Sequence, residues 1–267
     1  MVAIEDQLTC SHDHFLGNRL LVMQPRNGHH RSGTDAVLLA ASVPANASDV
    51  IVDLGAGVGV AGLCLAARVS NLHFVMVEID PQLCDLAADN CQNGLNGSSL
   101  ASFQILNMDI TLKGIHRIAA GLRDNMANHV ICNPPFYHPD KFRASPDSAR
   151  ARAHMLTDEG LEPWFRAATS VLKHGGTFSM IHRADALEDL LAQFSKRFGN
   201  ICIKPLYPRP NSTAHRIIVQ GTKGSKAPIQ LLEGLTLQDD NGNYSCAAEQ
   251  IHRDGTSLPM VPVSSQR

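Results

Sequence analysis

Short apolar runs that alternate with helical patterns limit this chain to very few folds. VIVDLG (50–55) leads into VAGLCLAARVS, HFVMVEID (73–80) into PQLCDLAADNCQNG, and SFQILNMD (102–109) precedes a fourth run, HVICNPPF. After a long connection, EPWFRAATSVLK reads as a helix closed by Gly175-Gly176, TFSMIHR as a fifth strand and ALEDLLAQFSKRF as another helix. A strand that is apolar at nearly every position is covered on both faces, which a parallel sheet with helical crossovers achieves. The last runs, NICIKPLYPR and AHRIIVQGTK, have no helix between them, so one edge strand is expected to be antiparallel. Upstream, FLGNRLLVMQP (15–25) reads as a short hairpin turning at Gly17-Asn18. Thr34 or Asp35 is the expected cap of a short helix ending before Pro44. Beyond Lys223 periodicity is weak, and residues 256–267 are expected to be disordered. The reading divides the chain into a hairpin extension (1–30), a main domain (31–222) and a partly irregular C-terminal extension (223–267).

Composition narrows the class. With 267 residues, 44% of them apolar, the chain can bury a full core. No apolar run is long enough for a membrane span, and MVAIEDQLTCSHDH lacks the pattern of a signal peptide. The cysteine count, seven, is odd, with no CxxC pair, which points to reduced thiols in a cytoplasmic protein. The 13 histidines show no ligand spacing, so no metal is expected. The net charge of −2 does not suggest a polyanion partner, but its distribution does. Leu190 to Leu232 contains no acid and seven basic residues, among them Lys196, Arg197, Lys204, Arg209 and Arg216. Such an asymmetry suits a surface that meets phosphates, or a solvated basic sheet edge.

The first strand ends in Asp53-Leu-Gly55-Ala-Gly57-Val-Gly59. Glycines there let the backbone turn sharply and approach a ligand at a helix N-terminus. Gly57, Gly59 and Gly62 also satisfy the GxGxxG pattern of dinucleotide enzymes, so the loop alone is ambiguous. Asp53 would repel a pyrophosphate and attract an ammonium. Glu78 ends the second strand, where a ribose-binding carboxylate belongs. A ligand with a ribose and an ammonium but no phosphate, S-adenosylmethionine, suits both acids better than NAD.

Taken in order, DLGAGVG, VEID, NMD and NPPF resemble the class I S-adenosylmethionine-dependent methyltransferases, in their amino-methylating branch. GHHRSGTDAVLLAASVP resembles more narrowly the bacterial tRNA(Val) adenine-N6 methyltransferases. The resemblance covers roughly residues 30–220. It implies an α/β, Rossmann-like, seven-stranded sheet of order 3-2-1-4-5-7-6 with strand 7 antiparallel. In that order strands 1 and 4 are neighbours, and both motif ends open onto one crevice. The resemblance further implies that Asp53 and the backbone at Gly55 and Gly57 hold the methionine part and that Glu78 accepts from both ribose hydroxyls. Ile79 would lie against the adenine, Asp109 would meet its amino group, and Thr34 or Asp35 would close the methionine end.

An exocyclic amine is a poor nucleophile because its lone pair is delocalised into the ring. Acceptors on its two N–H groups, the Asn133 side chain and the Pro134 carbonyl, strengthen their bonds as charge develops and favour reaction. Asn133 and Pro134 each precede a proline, which stiffens the backbone and preorganises them. Phe136 offers a flat face for an unstacked base, with Tyr137 beside it. Lys141, Arg143, Arg150 and Arg152 in the following loop, and Arg31, are candidate phosphate contacts. The expected activity is methylation of adenine N6 in RNA, with tRNA as the expected partner. The rivals are methylation of a protein glutamine amide and a non-catalytic RNA-binding module on the same fold.

Overall fold

Each apolar run forms a strand because both of its faces are covered. The computed structural model describes residues 9–29, 31–97, 99–135 and 160–261. Its elements are β1 (Cys10–Phe15), β2 (Leu20–Pro25), α1 (Thr34–Ser42), β3 (Val50–Leu54), α2 (Val60–Arg68), β4 (Leu72–Glu78), α3 (Pro81–Gln92), α4 (Gly94–Gly97) and β5 (Leu100–Asn107). There follow α5 (Gly114–Ala119), β6 (Ala127–Cys132), α6 (Glu162–Val171), β7 (Leu172–Arg183), α7 (Leu187–Phe194), β8 (Phe198–Tyr207), β9 (Arg216–Lys223), β10 (Gln230–Leu231), β11 (Leu235–Thr236) and α8 (Cys246–Asp254). Successive side chains in a strand point to opposite faces. Ile51, Phe74, Met76, Ile131 and Ile181 therefore enter one buried layer, under α1, α2 and α3. Val52, Leu54, Val75, Val77, Cys132 and Met180 enter the other, under α6 and α7. In the second layer Phe165 meets Phe178 and Phe194 edge-on at 5.2 and 4.8 Å. Each such pair contributes about 0.5–1.5 kcal/mol beyond its buried area. Among the described residues, no helix is long and apolar enough to cross a membrane.

The sheet order is β10-β8-β9-β7-β6-β3-β4-β5, with β11 also on β8. Counted from β3 to β9, this is the expected 3-2-1-4-5-7-6 arrangement. β9 is antiparallel to both β7 and β8 and lies between them, so the antiparallel strand is internal, not at the edge. The sheet is also larger than the expected seven strands, because β10 and β11 of the C-terminal region add to β8 in parallel.

Other expectations need correction. The hairpin begins at Cys10, not residue 15. Its β2 edge is paired by two buried asparagines. Asn90 accepts from Met23 N at 2.8 Å and donates to Met23 O at 3.0 Å, and Asn96 does the same for Leu21 at 3.0 and 2.7 Å. These amides complete the backbone hydrogen bonds that another strand would have supplied. Neither Thr34 nor Asp35 caps α1; Gly33 holds the cap position, with no side-chain bond. Gly175-Gly176 does not close α6, which ends at Val171. The pair lies inside β7, where the β6 register slips between Ala127 and His129, and a Cβ on Gly176 would stand 2.7 Å from Asn128 O. Residues 256–261 are placed in the structure: Leu258 and Met260 are buried, and Leu258 N donates to Ala41 O at 2.8 Å. Residues 262–267 lie outside the described set.

Candidate active site

Register brings the motifs together. Leu54 pairs with Val77 of β4 and with Cys132 of β6, so Gly55, Glu78 and Asn133 are neighbours where the three strands end. Past that edge Gly55 N and Ala56 N both donate to Val77 O, at 2.8 and 3.0 Å, and bend the chain into the glycine loop. Gly55 and Gly57 have φ of +68° and +57°, a region that side chains with a Cβ seldom adopt. Among the described residues a Cβ on Gly57 would meet nothing within 4 Å. By contrast Gly62 is needed for packing, since a Cβ there would lie 2.8 Å from the end of Met76. Only part of the GxGxxG match therefore bears on a ligand.

Glu78 is 4% exposed, and its carboxylate ties the site together. Oε2 accepts from Gly57 N at 2.8 Å, while Oε1 accepts from Ile79 N at 2.9 Å and Asp80 N at 3.0 Å. A carboxylate has about four acceptor positions. Three are occupied by backbone, so one remains for a ribose hydroxyl unless the Gly57 bond is shared. Asp80 caps α3, accepting from Gln82 N and Leu83 N. Asp53 is 2% exposed, and among the described residues its buried Oδ2 has no hydrogen-bond partner. Burial first, and then the charge of Glu78, push its carboxyl up to about 8, against the pull of the Gly62 N–H. A buried acceptor lacking a donor is costly, and it fits a site to which a ligand brings a cation.

Beside these acids opens a cleft of about 320 Å³, including its mouth, lined by Gly55, Val77, Glu78, Ile79, Met108, Asp109, Ile110, Thr111 and Trp164. One carboxylate oxygen of Asp109 accepts from Thr111 N at 2.8 Å; among the described residues the other has no hydrogen-bond partner. The cleft thus has apolar walls, two carboxylates and an open backbone, a donor and acceptor set that fits S-adenosylmethionine. Trp164, Met108, Ile110 and Thr111 escaped the sequence reading. The one available signal was Trp164, the only tryptophan, in the first turn of a helix.

Asn133 and Pro135 are half-buried and Pro134 is buried. The Asn133 side chain makes no hydrogen bond to another described residue. Phe136, Tyr137, Lys141, Arg143, Arg150 and Arg152 lie outside the described residues. Thr34 opens α1 at the same sheet edge, beside Asp35, whose Oδ2 accepts from Arg216 Nε at 2.9 Å. Arg31 is paired with Asp13 at 2.6 Å. His29, which was not anticipated, stands 3.6 Å from Asp80, so the rim has His29 beside α3 and Asp35 beside β9.

The five basic candidates of the acid-free segment are not brought together. β8 runs parallel to β3, so Arg209, just after β8, and Arg216, opening β9, share the edge of the glycine loop. Lys196 and Arg197 precede β8, so their backbone lies at the opposite edge, about 30 Å away along the strand. The Arg197 side chain turns back along α6, bonded to Glu162 in its first turn and to Gln193. Lys204 sits mid-strand and donates to Glu233 O at 3.1 Å.

Comparison with known proteins agrees with this geometry. The family model described as "Methyltransferase small domain" matches residues 28–204. A tRNA1(Val) (adenine(37)-N6)-methyltransferase of Shewanella loihica is 28% identical over 219 residues, covering 80% of this chain and 87% of that protein. The protein of the same name from Pectobacterium carotovorum is 26% identical over 255 residues, 94% of this chain and 96% of its own. A crystal structure from Agrobacterium tumefaciens, described as a predicted O-methyltransferase, superposes with a TM-score of 0.72 at 28% identity, covering 84% of this chain and 98% of that one. Sheet order, glycine loop and paired acids join with the family match: the chain belongs to the methyltransferase small-domain family and is an S-adenosylmethionine-dependent methyltransferase.

Proposed function

We propose that the protein methylates the exocyclic N6 of an adenine in tRNA. The observation that carries this reading is Asn133, an amide held on a proline-stiffened backbone beside the glycine loop and left without a partner among the described residues. S-adenosylmethionine, when bound, supplies the electrophilic methyl group. Asp53, Gly55, Gly57, Glu78, Ile79 and Asp109 hold the cofactor in the cleft. The Asn133 side-chain oxygen and the Pro134 carbonyl accept the two N–H bonds of the target amine and draw its lone pair out of the ring system. Their bonds strengthen as the nitrogen becomes positive, so they act on the transition state more than on the ground state. Two neutral acceptors suit an amine. A hydroxyl needs a base, which Asn133-Pro134-Pro135 does not contain, so the segment favours nitrogen over the oxygen chemistry named for the Agrobacterium protein. The relatives named above act on tRNA adenine, which supports the same choice of substrate. In this reading residues 31–222 form the methyl-transfer domain, 1–30 a hairpin extension and 223–267 a C-terminal extension.

Incubation with labelled cofactor and bulk unmodified tRNA, followed by nuclease digestion, is expected to place the label in N6-methyladenosine. Label in a polypeptide from a parallel incubation with total protein, and none in RNA, overturns the assignment in favour of a glutamine amide.

A further inference from the structure

We propose that Trp164 is a positioning residue for the cofactor, its indole forming the wall on which the adenine end is seated. The inference rests on the cleft being the cofactor site. Trp164 is 2% exposed, yet it lines the same cleft as Glu78 and Ile79. Its six-membered ring is pressed onto the glycine loop: a Cβ on Gly55 would lie 2.8 Å from Cη2 and 3.0 Å from Cζ3. The indole therefore cannot move inward, and the loop backbone cannot move outward. Arg166, on the same helix, donates to Thr111 O at 3.4 Å and pairs with Glu162 at 2.8 Å. That bond joins α6 to the Asp109–Thr111 lip, so the two sides of the cleft that could spread are fastened to each other. A purine has two flat faces and a polar edge. Ile79, Ile110 and the indole provide flat apolar surface, and Asp109 provides an acceptor at the rim. Trp164 acts on where the cofactor lies, at a distance from the amine held at Asn133.

The test uses the full chain without RNA. Because Trp164 is the only tryptophan, its emission reports on this wall alone. Titration with S-adenosylhomocysteine is expected to change the emission saturably, with a midpoint equal to the calorimetric Kd. Trp164→Phe, which keeps a flat ring, is expected to bind within about threefold of the parent. Trp164→Leu is expected to lose about tenfold or more, within the range for removing one base–aromatic contact. In turnover assays the loss in the Leu variant should appear in the cofactor KM ahead of kcat. An emission that stays flat while calorimetry shows saturation overturns the proposal, as does a folded Leu variant that binds like the parent. If the Leu variant does not fold, the emission titration of the parent decides alone. None of the binding measurements depends on the substrate, so they and the tRNA experiment fail separately.

Discussion

Around β3 and β4 the polar groups are held before any ligand arrives. Glu78 takes three backbone N–H groups, Asp80 two, and Asn90 fastens the loop carbonyl of Val58 at 3.1 Å. Around β6 and the β8–β9 turn the opposite holds. The Asn133 amide makes no hydrogen bond to a described residue, and Arg209 is exposed at the tip of a turn that Ser212 closes. The proposed cofactor half is built by register between adjacent strands, so a few residues suffice to define it. The substrate half offers groups whose partners come from outside. Preorganisation is thus concentrated where a ligand of constant shape must bind.

Asn133→Ala should break the substrate half alone and gives the largest expected effect. Loss of one acceptor should slow single-turnover methylation of tRNA about 100- to 1000-fold, with cofactor affinity within a few fold by calorimetry. A parallel collapse of cofactor binding would mean that the two halves are not separate. Glu78→Ala strikes the other half. Losing charge-assisted bonds costs roughly 2–4 kcal/mol of cofactor binding. Because Gly57, Ile79 and Asp80 lose their acceptor, the unliganded protein should also melt lower, unlike a variant that merely lacked a ribose contact. Unchanged affinity would remove Glu78 from the cofactor site.

Asp53 sharpens the contrast through pH. Its carboxyl holds a proton up to about pH 8 in the folded chain, against a reference value of 3.8. Between those values the folded state carries the extra proton, so this contribution to unliganded stability is complete below 3.8 and is lost as the pH rises through 8. A ligand cation near Oδ2 favours the charged form, so cofactor binding near pH 7 should release about one proton. Calorimetry in buffers of differing ionisation enthalpy reads that release. Asp53→Asn should abolish it, and the same release from the Asn variant would assign the proton elsewhere. The smallest effect concerns RNA. Arg209→Glu should weaken tRNA binding and reduce the salt slope by about one unit, while Lys196→Glu with Lys226→Glu, at the far sheet edge, should do neither. Equal losses from both would mean that RNA wraps the sheet edge to edge.

The sheet was readable because its strands are apolar on both faces, and two acids at strand ends marked the cleft. What escaped the reading depends on distant partners. CSHDHF is too polar to look like a strand, and β1 lies outside the main sheet, paired among the described residues with β2 alone. The Asp35–Arg216 bond joins residues far apart in sequence, so a residue read as a cap is engaged elsewhere. Gly175-Gly176 has the composition of a helix stop, and only the register of β6 turns it into a bulge. The basic run is continuous in sequence, but a strand of ten residues carries its two ends to opposite edges. α8 buries only Ala248 and Ile251, too few for a periodic signal.

Synthesis delivers α1 long before the segment that seals it. Ile251, Leu258 and Met260 complete the layer containing Leu16, Leu20, Val37 and Leu38, and Leu258 is bonded to Ala41. At a translation rate of about 5–20 residues per second, α1 waits on the order of 10–40 s for that cover. During the interval the nascent chain presents an uncovered apolar surface on the outer side of α1. A chain stopped before Cys246 would leave the outer side of α1 without that cover.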